Sequence, residues 1–173
     1  RGVAVLNTPG GNAVAAAEFT MALLLGLARH VAHAHGSLAR GAWDRHRFTG
    51  VELAGRTLGV VGLGRIGTLV AERARAFRME VLAADPFLGA QRAEALGIPL
   101  CDLDHLLAEA DAVTLHLPLT EGTAGLLDAA RLARMKKGAL LVNCARGGLV
   151  DEAALARALE EGRLAGAAVD VYG

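Results

Sequence analysis

Aromatic residues are almost missing from this chain, at 3% of 173 residues. A core without rings must be filled by Val, Leu, Ile and Ala. Cysteine is nearly as scarce. Cys101 and Cys144 lie far apart and form no Cys-x-x-Cys pair, which excludes a disulfide framework or a zinc ribbon and predicts a reduced, cytoplasmic setting. Lysine is limited to Lys136 and Lys137, the other basic residues being arginine, and the formal net charge is zero. A neutral chain of this kind argues against nucleic acid or an anionic membrane as partner. There is no signal peptide pattern. The longest apolar run, Phe19–Ala28, is about half a membrane span and is bounded by Glu18 and Arg29, so it predicts a buried or interface helix.

What is plentiful is aliphatic: 53% of the residues are hydrophobic, with 22 glycines. That composition supports a full core and excludes disorder. The length fits one domain, residues 1–173. The chain starts at Arg1 without a methionine and stops at Gly173 just beyond an apolar stretch, and it is expected to be a piece of a longer protein.

The periodicity changes along the chain. Val3–Asn7 has the pattern of a short strand ended by Pro9-Gly10-Gly11. Val14, Ala17, Met21, Leu24, Leu25, Ala28 and Val31 then recur at helical spacing and predict one long helix from about Ala13 to His35. Leu23 and Leu27 lie off that stripe, so the helix is apolar on more than one side, as at a subunit interface. From Arg56 onward strands alternate with helices: TLGVVG, EVLAAD, AVTLHL, ALLVNC and AGAAVDVY, with helices over 65–77, 90–96, 102–110, 128–135 and 151–161. Asp151 reads as a helix N-cap and Gly162 as its terminator. Non-alternating apolar strands separated by helices mean an α/β fold, a Rossmann-type doubly wound parallel sheet with helices on both faces.

The first of these strands runs into VVGLGRIG, which places Gly62, Gly64 and Gly67 in G-x-G-x-x-G spacing. The first glycine permits a tight turn, the second lets a pyrophosphate approach the backbone, and the third packs helix on strand. The amides of Arg65 and Ile66 open the helix toward the phosphates, where its dipole favours an anion by about 0.3–1 kcal/mol. The next strand ends in Asp85, an acid suited to the adenosine ribose hydroxyls and repulsive to a 2′-phosphate. The pattern predicts NAD rather than NADP. Other strand ends should gather beside it: His116-Leu117-Pro118, Asn143–Arg146 and Asp170. Arg146 then lies at the rim, where an anionic substrate would meet the nicotinamide.

Several blocks together carry a more specific resemblance: NTPGGNAVAAAEFTMALLLGLAR, GAWDR, ELAGRTLGVVGLGRIG, ADPF, HLPLTEGTAGLL and VNCARGGLVDEAALARALEEGRLAGAAVDVY. They run over essentially the whole chain. The chain resembles the D-2-hydroxyacid dehydrogenase family, and its Cys-Ala-Arg-Gly-Gly block is most like the phosphoglycerate-oxidising branch. The resemblance implies an NAD-binding domain inserted into a substrate domain that is absent here, and a homodimer or homotetramer joined through the helix near Ala13–His35. It implies pyrophosphate contacts at Arg65 and Ile66, the ribose at Asp85, and the adenosine side at Leu117 with Pro118. It further places Cys144, Ala145, Arg146 and Asp170 on the nicotinamide side of the cofactor, Asn12 near the substrate, and Arg146 also as the catalytic arginine gripping a small 2-hydroxy acid.

The same resemblance requires a catalytic histidine and a glutamate that orients it. Both are expected beyond Gly173, so this segment by itself is expected to bind NAD without turnover. His30, His33 and His35 have ligand-like spacing but read as a solvated helix end, and no metal is expected. Two related readings stay open: a hydroxypyruvate or glyoxylate reductase, and a non-enzymatic NAD-sensing corepressor relative.

Overall fold

The computed structural model describes residues 2–4, 8, 10–44, 46–88 and 90–173. Two helices, α1 (Ala13–Ala28) and α2 (Val31–Ala39), lead into an alternation of β1 (Thr57–Val61), α3 (Arg65–Ala76), β2 (Glu80–Ala84), α4 (Ala90–Leu96), α5 (Leu103–Glu109), β3 (Ala112–Leu115), α6 (Ala129–Arg134), β4 (Ala139–Asn143), α7 (Glu152–Glu160) and β5 (Leu164–Val169). The five strands form one sheet in the order β2-β1-β3-β4-β5, and every pairing is parallel. The predicted α/β class and doubly wound sheet are what the chain adopts.

The reason lies in burial on both faces. All residues of β3 and β4 are buried. On one face Leu115 and Leu141 pack with Leu106, Leu132 and Leu155 from α5, α6 and α7. On the other, Leu58, Val60 and Val142 pack with Leu24 of α1 and Val70 of α3. A strand covered twice has no polar face to alternate with. The aspartates Asp102, Asp128 and Asp151 start α5, α6 and α7, each accepting a bond from the backbone N–H three residues on and supplying one of the orphan helix-end partners. Gly162 follows α7 in the left-handed region, at φ +65°.

The single helix expected over 13–35 is two helices. The Ala28 carbonyl accepts from Val51 N–H at 2.8 Å instead of continuing the helix. Gly50 fits against that carbonyl where a Cβ would collide. His30 takes φ +54°, and α2 leaves at 62° to α1. Local periodicity continues through the break because the competing partner comes from some twenty positions away in sequence. Among the described residues no single helix is long and apolar enough to cross a membrane. The strand expected over Val3–Asn7 is not present at Val3 and Ala4, and Val5–Asn7 lie outside the described residues.

Candidate active site

The five strands end at one level. Ala84, Val61, Leu115, Asn143 and Val169 are in register across the sheet. The next residue of each strand is therefore Asp85, Gly62, His116, Cys144 and Asp170. At about 4.8 Å between neighbouring strands this ledge is about 19 Å long. The chain steps from β1 outward to β2 and then back across to β3, so the strand order reverses at β1 and β3, where open parallel sheets bind ligands.

The glycine loop occupies that crevice. Gly62 has φ +92°, and a Cβ there would come within 2.8 Å of both the His116 carbonyl and Leu117. A Cβ on Gly67 would collide with the Gly62 carbonyl. These two glycines are demanded by the protein's own packing. Gly64 is different. Its φ is −73°, and nothing lies within 4 Å of where its Cβ would stand. The space beside Gly64 is open, at the start of the twelve-residue helix α3, whose first turn carries neither an acid nor a side-chain cap. A diphosphate accepts hydrogen bonds from such free amides. The residues present therefore fit a dinucleotide.

Asp85 is bound into the same loop. One carboxylate oxygen accepts from Leu63 N–H at 2.8 Å, and the other from Phe87 and Leu88 N–H at 2.9 and 3.2 Å. A cleft of about 350 Å³ opens beside it, lined among others by Val61, Asp85, Leu103, Leu117 and Leu126. It is largely apolar, with Asp85 and the α5 cap Asp102 as its acids, which suits a base and its ribose. A larger cleft of about 720 Å³ lies at the opposite ends of β1 and β2, by Thr57 and Glu80. It has no glycine cradle and is not the candidate. The turn carrying Asn12 reaches the loop from the other side, since Gly10 lies against the Arg65 side chain. Pro118 is exposed beyond Leu117, its carbonyl accepting from the Thr123 hydroxyl at 2.7 Å.

At the far end of the ledge, β4 delivers the arginine turn. Asn143 is 2% exposed. Its amide donates to the Arg146 carbonyl at 3.0 Å, and its side-chain oxygen accepts from Ala145 N–H at 3.1 Å. Both ends of one side chain thus fix the turn. The sequence reading assigns Asn143 no role of its own, although a polar residue closing an apolar strand was the available signal. Arg146 is exposed and donates to the Ala145 carbonyl at 2.6 Å. It forms no ion pair among the described residues.

Burial pushes the Cys144 thiol above its usual range, the Asp170 charge adds to this, and a hydrogen bond with the Thr20 hydroxyl opposes it. Such a thiol stays protonated and serves as packing rather than as nucleophile. Burial lowers His116 to about 4. Its Nε2 lies 3.1 Å from the Thr114 hydroxyl, so it is a neutral, hydrogen-bonded part of the floor. No cluster of metal-ligating side chains occurs among the described residues.

Residues 21–173 match the family described as D-isomer specific 2-hydroxyacid dehydrogenase, NAD binding domain. The chain belongs to this family. Its cofactor is NAD. The chain is 49% identical over 172 residues to the D-3-phosphoglycerate dehydrogenase of Archaeoglobus fulgidus, covering 99% of this chain and 33% of the relative. It is 52% identical over 172 residues to that of Mycobacterium bovis, with 99% and 33% covered. This NAD-binding domain thus spans about a third of the length of the curated relatives it matches. Among solved structures it superposes on the TT0316 protein of Thermus thermophilus with a TM-score of 0.92 and 46% identity, covering 99% of this chain and 54% of the other. A D-lactate dehydrogenase of Aquifex aeolicus, solved with NAD and lactic acid, gives a TM-score of 0.88 and 34% identity, with 95% and 50% covered.

Proposed function

We propose that this domain serves an NAD-dependent D-3-phosphoglycerate dehydrogenase, which oxidises 3-phospho-D-glycerate to 3-phosphohydroxypyruvate for serine biosynthesis in the cytoplasm. The observation that carries the reading is the ledge itself, with a ribose acid and glycine cradle at one end and an arginine without an ion-pair partner among the described residues at the other.

When bound, NAD supplies the ring that accepts the hydride. The amides of Arg65 and Ile66, beside Gly62, Gly64 and Gly67, bind the diphosphate. Asp85 binds the adenosine ribose, while Leu117 and Pro118 flank the adenosine. Cys144, Ala145 and Asp170 line the nicotinamide end. Arg146 grips the carboxylate and C2 oxygen of the hydroxy acid with two parallel hydrogen bonds, leaving the C2 hydrogen aimed at the ring. Asn12 approaches the substrate from the Gly10–Asn12 turn. The C2 hydroxyl proton leaves to a group outside this chain. His116 is turned inward to Thr114, and the histidines of α2 lie away from the ledge.

Two copies associate through α1, α2 and the segment after them. Val14, Phe19, Val31, Leu38 and Trp43 are all exposed there, Trp43 by 78%, an apolar surface of the kind that marks an interface.

The test compares 3-phosphoglycerate with glycerate as substrate of the intact enzyme. Preference for glycerate would overturn the substrate, and absence of NAD reduction with any 2-hydroxy acid would overturn the reaction. The 173-residue chain alone is expected to bind NAD, to bind NADP far more weakly, and to reduce neither.

A further inference from the structure

The chain leaving β5 touches the arginine turn through its backbone. A Cβ placed on Gly147 would collide with the Tyr172 carbonyl, and one on Gly173 would stand 3.4 Å from Gly148 N. Glycine at 147 is thus required by the close passage of Tyr172 and Gly173, whereas Gly147 itself is not in the left-handed region. One side chain bridges the two segments. Glu152, in the first turn of α7, accepts the Gly173 N–H at 2.8 Å through Oε1. α7 begins five residues after Gly147, so this bond ties the exit of β5 to the helix that directly follows the arginine turn. Asn143 holds the turn from the strand side, and the Tyr172–Gly173 segment closes it from the other.

We propose that Glu152 is a positioning residue of this dehydrogenase. Its carboxylate holds the exit of β5 against Gly147 and Gly148, and so fixes the place of Arg146 relative to the substrate. The inference rests on Arg146 acting on the hydroxy acid, as proposed above. Glu152 touches neither cofactor nor substrate. The diphosphate cradle lies on β1 and α3, and Ala145 and Asp170 on the nicotinamide side are each bonded to Asn143, so a loosened clasp acts on substrate handling far more than on NAD binding.

A plain structural role for Glu152 is available, because an acid in the first turn of a helix is favoured by the helix dipole. The two roles differ in what glutamine does. Glutamine keeps a carbonyl oxygen that can accept the Gly173 N–H but has no charge. The clasp therefore predicts rescue by Glu152→Gln, and the dipole role predicts that Gln and Ala are equally poor.

In the intact enzyme Glu152→Ala is expected to lower kcat/KM for the hydroxy acid about tenfold, the equivalent of losing one hydrogen bond to a charged group. NAD affinity stays within about twofold, and Glu152→Gln recovers most of the loss. Amide hydrogen exchange at Gly173 is read in the same proteins. It should speed up in the Ala variant and stay slow in the Gln variant. Gly173 exchanging equally in all three proteins overturns the clasp whatever the enzyme's substrate proves to be. Faster exchange at Gly173 with unchanged kcat/KM in the Ala variant overturns the positioning role. A wild type that shows the exchange pattern but no turnover points instead to failure of the dehydrogenase reading.

Discussion

The glycine loop and the arginine turn are built alike and held differently. Each follows a buried strand and contains glycine that a nearby backbone carbonyl demands: Gly62 against His116 and Gly67 against Gly62 in the loop, and Gly147 against Tyr172 in the turn. In the loop the partner that crowds Gly67 lies five residues away, while Asp85 and the His116 carbonyl brace it from the ends of the two adjacent strands. In the arginine turn the crowding partner comes from the far side of α7 and β5. The loop thus carries one of its closing contacts within its own motif, whereas the glycine of the arginine turn is crowded by later chain. A dinucleotide cradle is accordingly recognisable from a short motif, while the geometry of the arginine turn is not.

The sharpest test of that contrast is Arg146→Ala in the intact enzyme. Losing two charge-assisted hydrogen bonds of about 1.5–3 kcal/mol each should lower kcat/KM by about 10²-fold or more, with the NAD dissociation constant nearly unchanged. Activity within a few-fold of wild type would make the two regions equivalent bystanders. Next in size is Gly67→Ala, where the new Cβ meets the Gly62 carbonyl. Overpacking of this kind should cost about 3 kcal/mol, visible as a lower denaturation midpoint together with weakened NAD binding.

His116 supports the loop from below, its carbonyl lying against Gly62, and gives a comparable effect in pH. The folded protein holds it near 4, against 6.5 for an unburied histidine. Between those values the unfolded chain takes up the proton and the folded one does not. Stability is present above about pH 6.5 and is lost as pH falls toward 4, by about 3 kcal/mol in all. His116→Gln, a neutral residue able to bond Thr114, should flatten this slope in denaturation curves taken at pH 7, 5.5 and 4.5, and an unaltered slope would count against it. The smallest expected change is Gly64→Ala. The position has open space and an ordinary φ, so the melting temperature should hold while NAD binding weakens by about tenfold, or about 1.4 kcal/mol. A stability loss equal to that of Gly67→Ala would remove the distinction between a glycine kept for the protein and one kept for the ligand.

Much of this was legible beforehand. The strands and helices from Thr57 onward follow the apolar runs closely, because strands covered on both faces leave a strong signature. Asp151 and Gly162 bound α7 as read, since capping is decided within a few residues. The division of α1 from α2 was not legible, because the Ala28 carbonyl is claimed by Val51. Nor was the brace at Asn143, whose two bonds exist only once β4 has stopped in register with its neighbours.

From the sequence alone came the α/β class, the glycine cradle, the acid after β2 and the arginine after β4, all written in residues close together in the chain. Tertiary structure decided that Asp85, Gly62, His116, Cys144 and Asp170 share one ledge, that α1 breaks at His30, and that Tyr172 and Gly173 lie against Gly147. Local propensity acts over a few residues at a time. Register, competing acceptors and backbone contacts arise only when distant segments meet, and the place of Arg146 depends on all three.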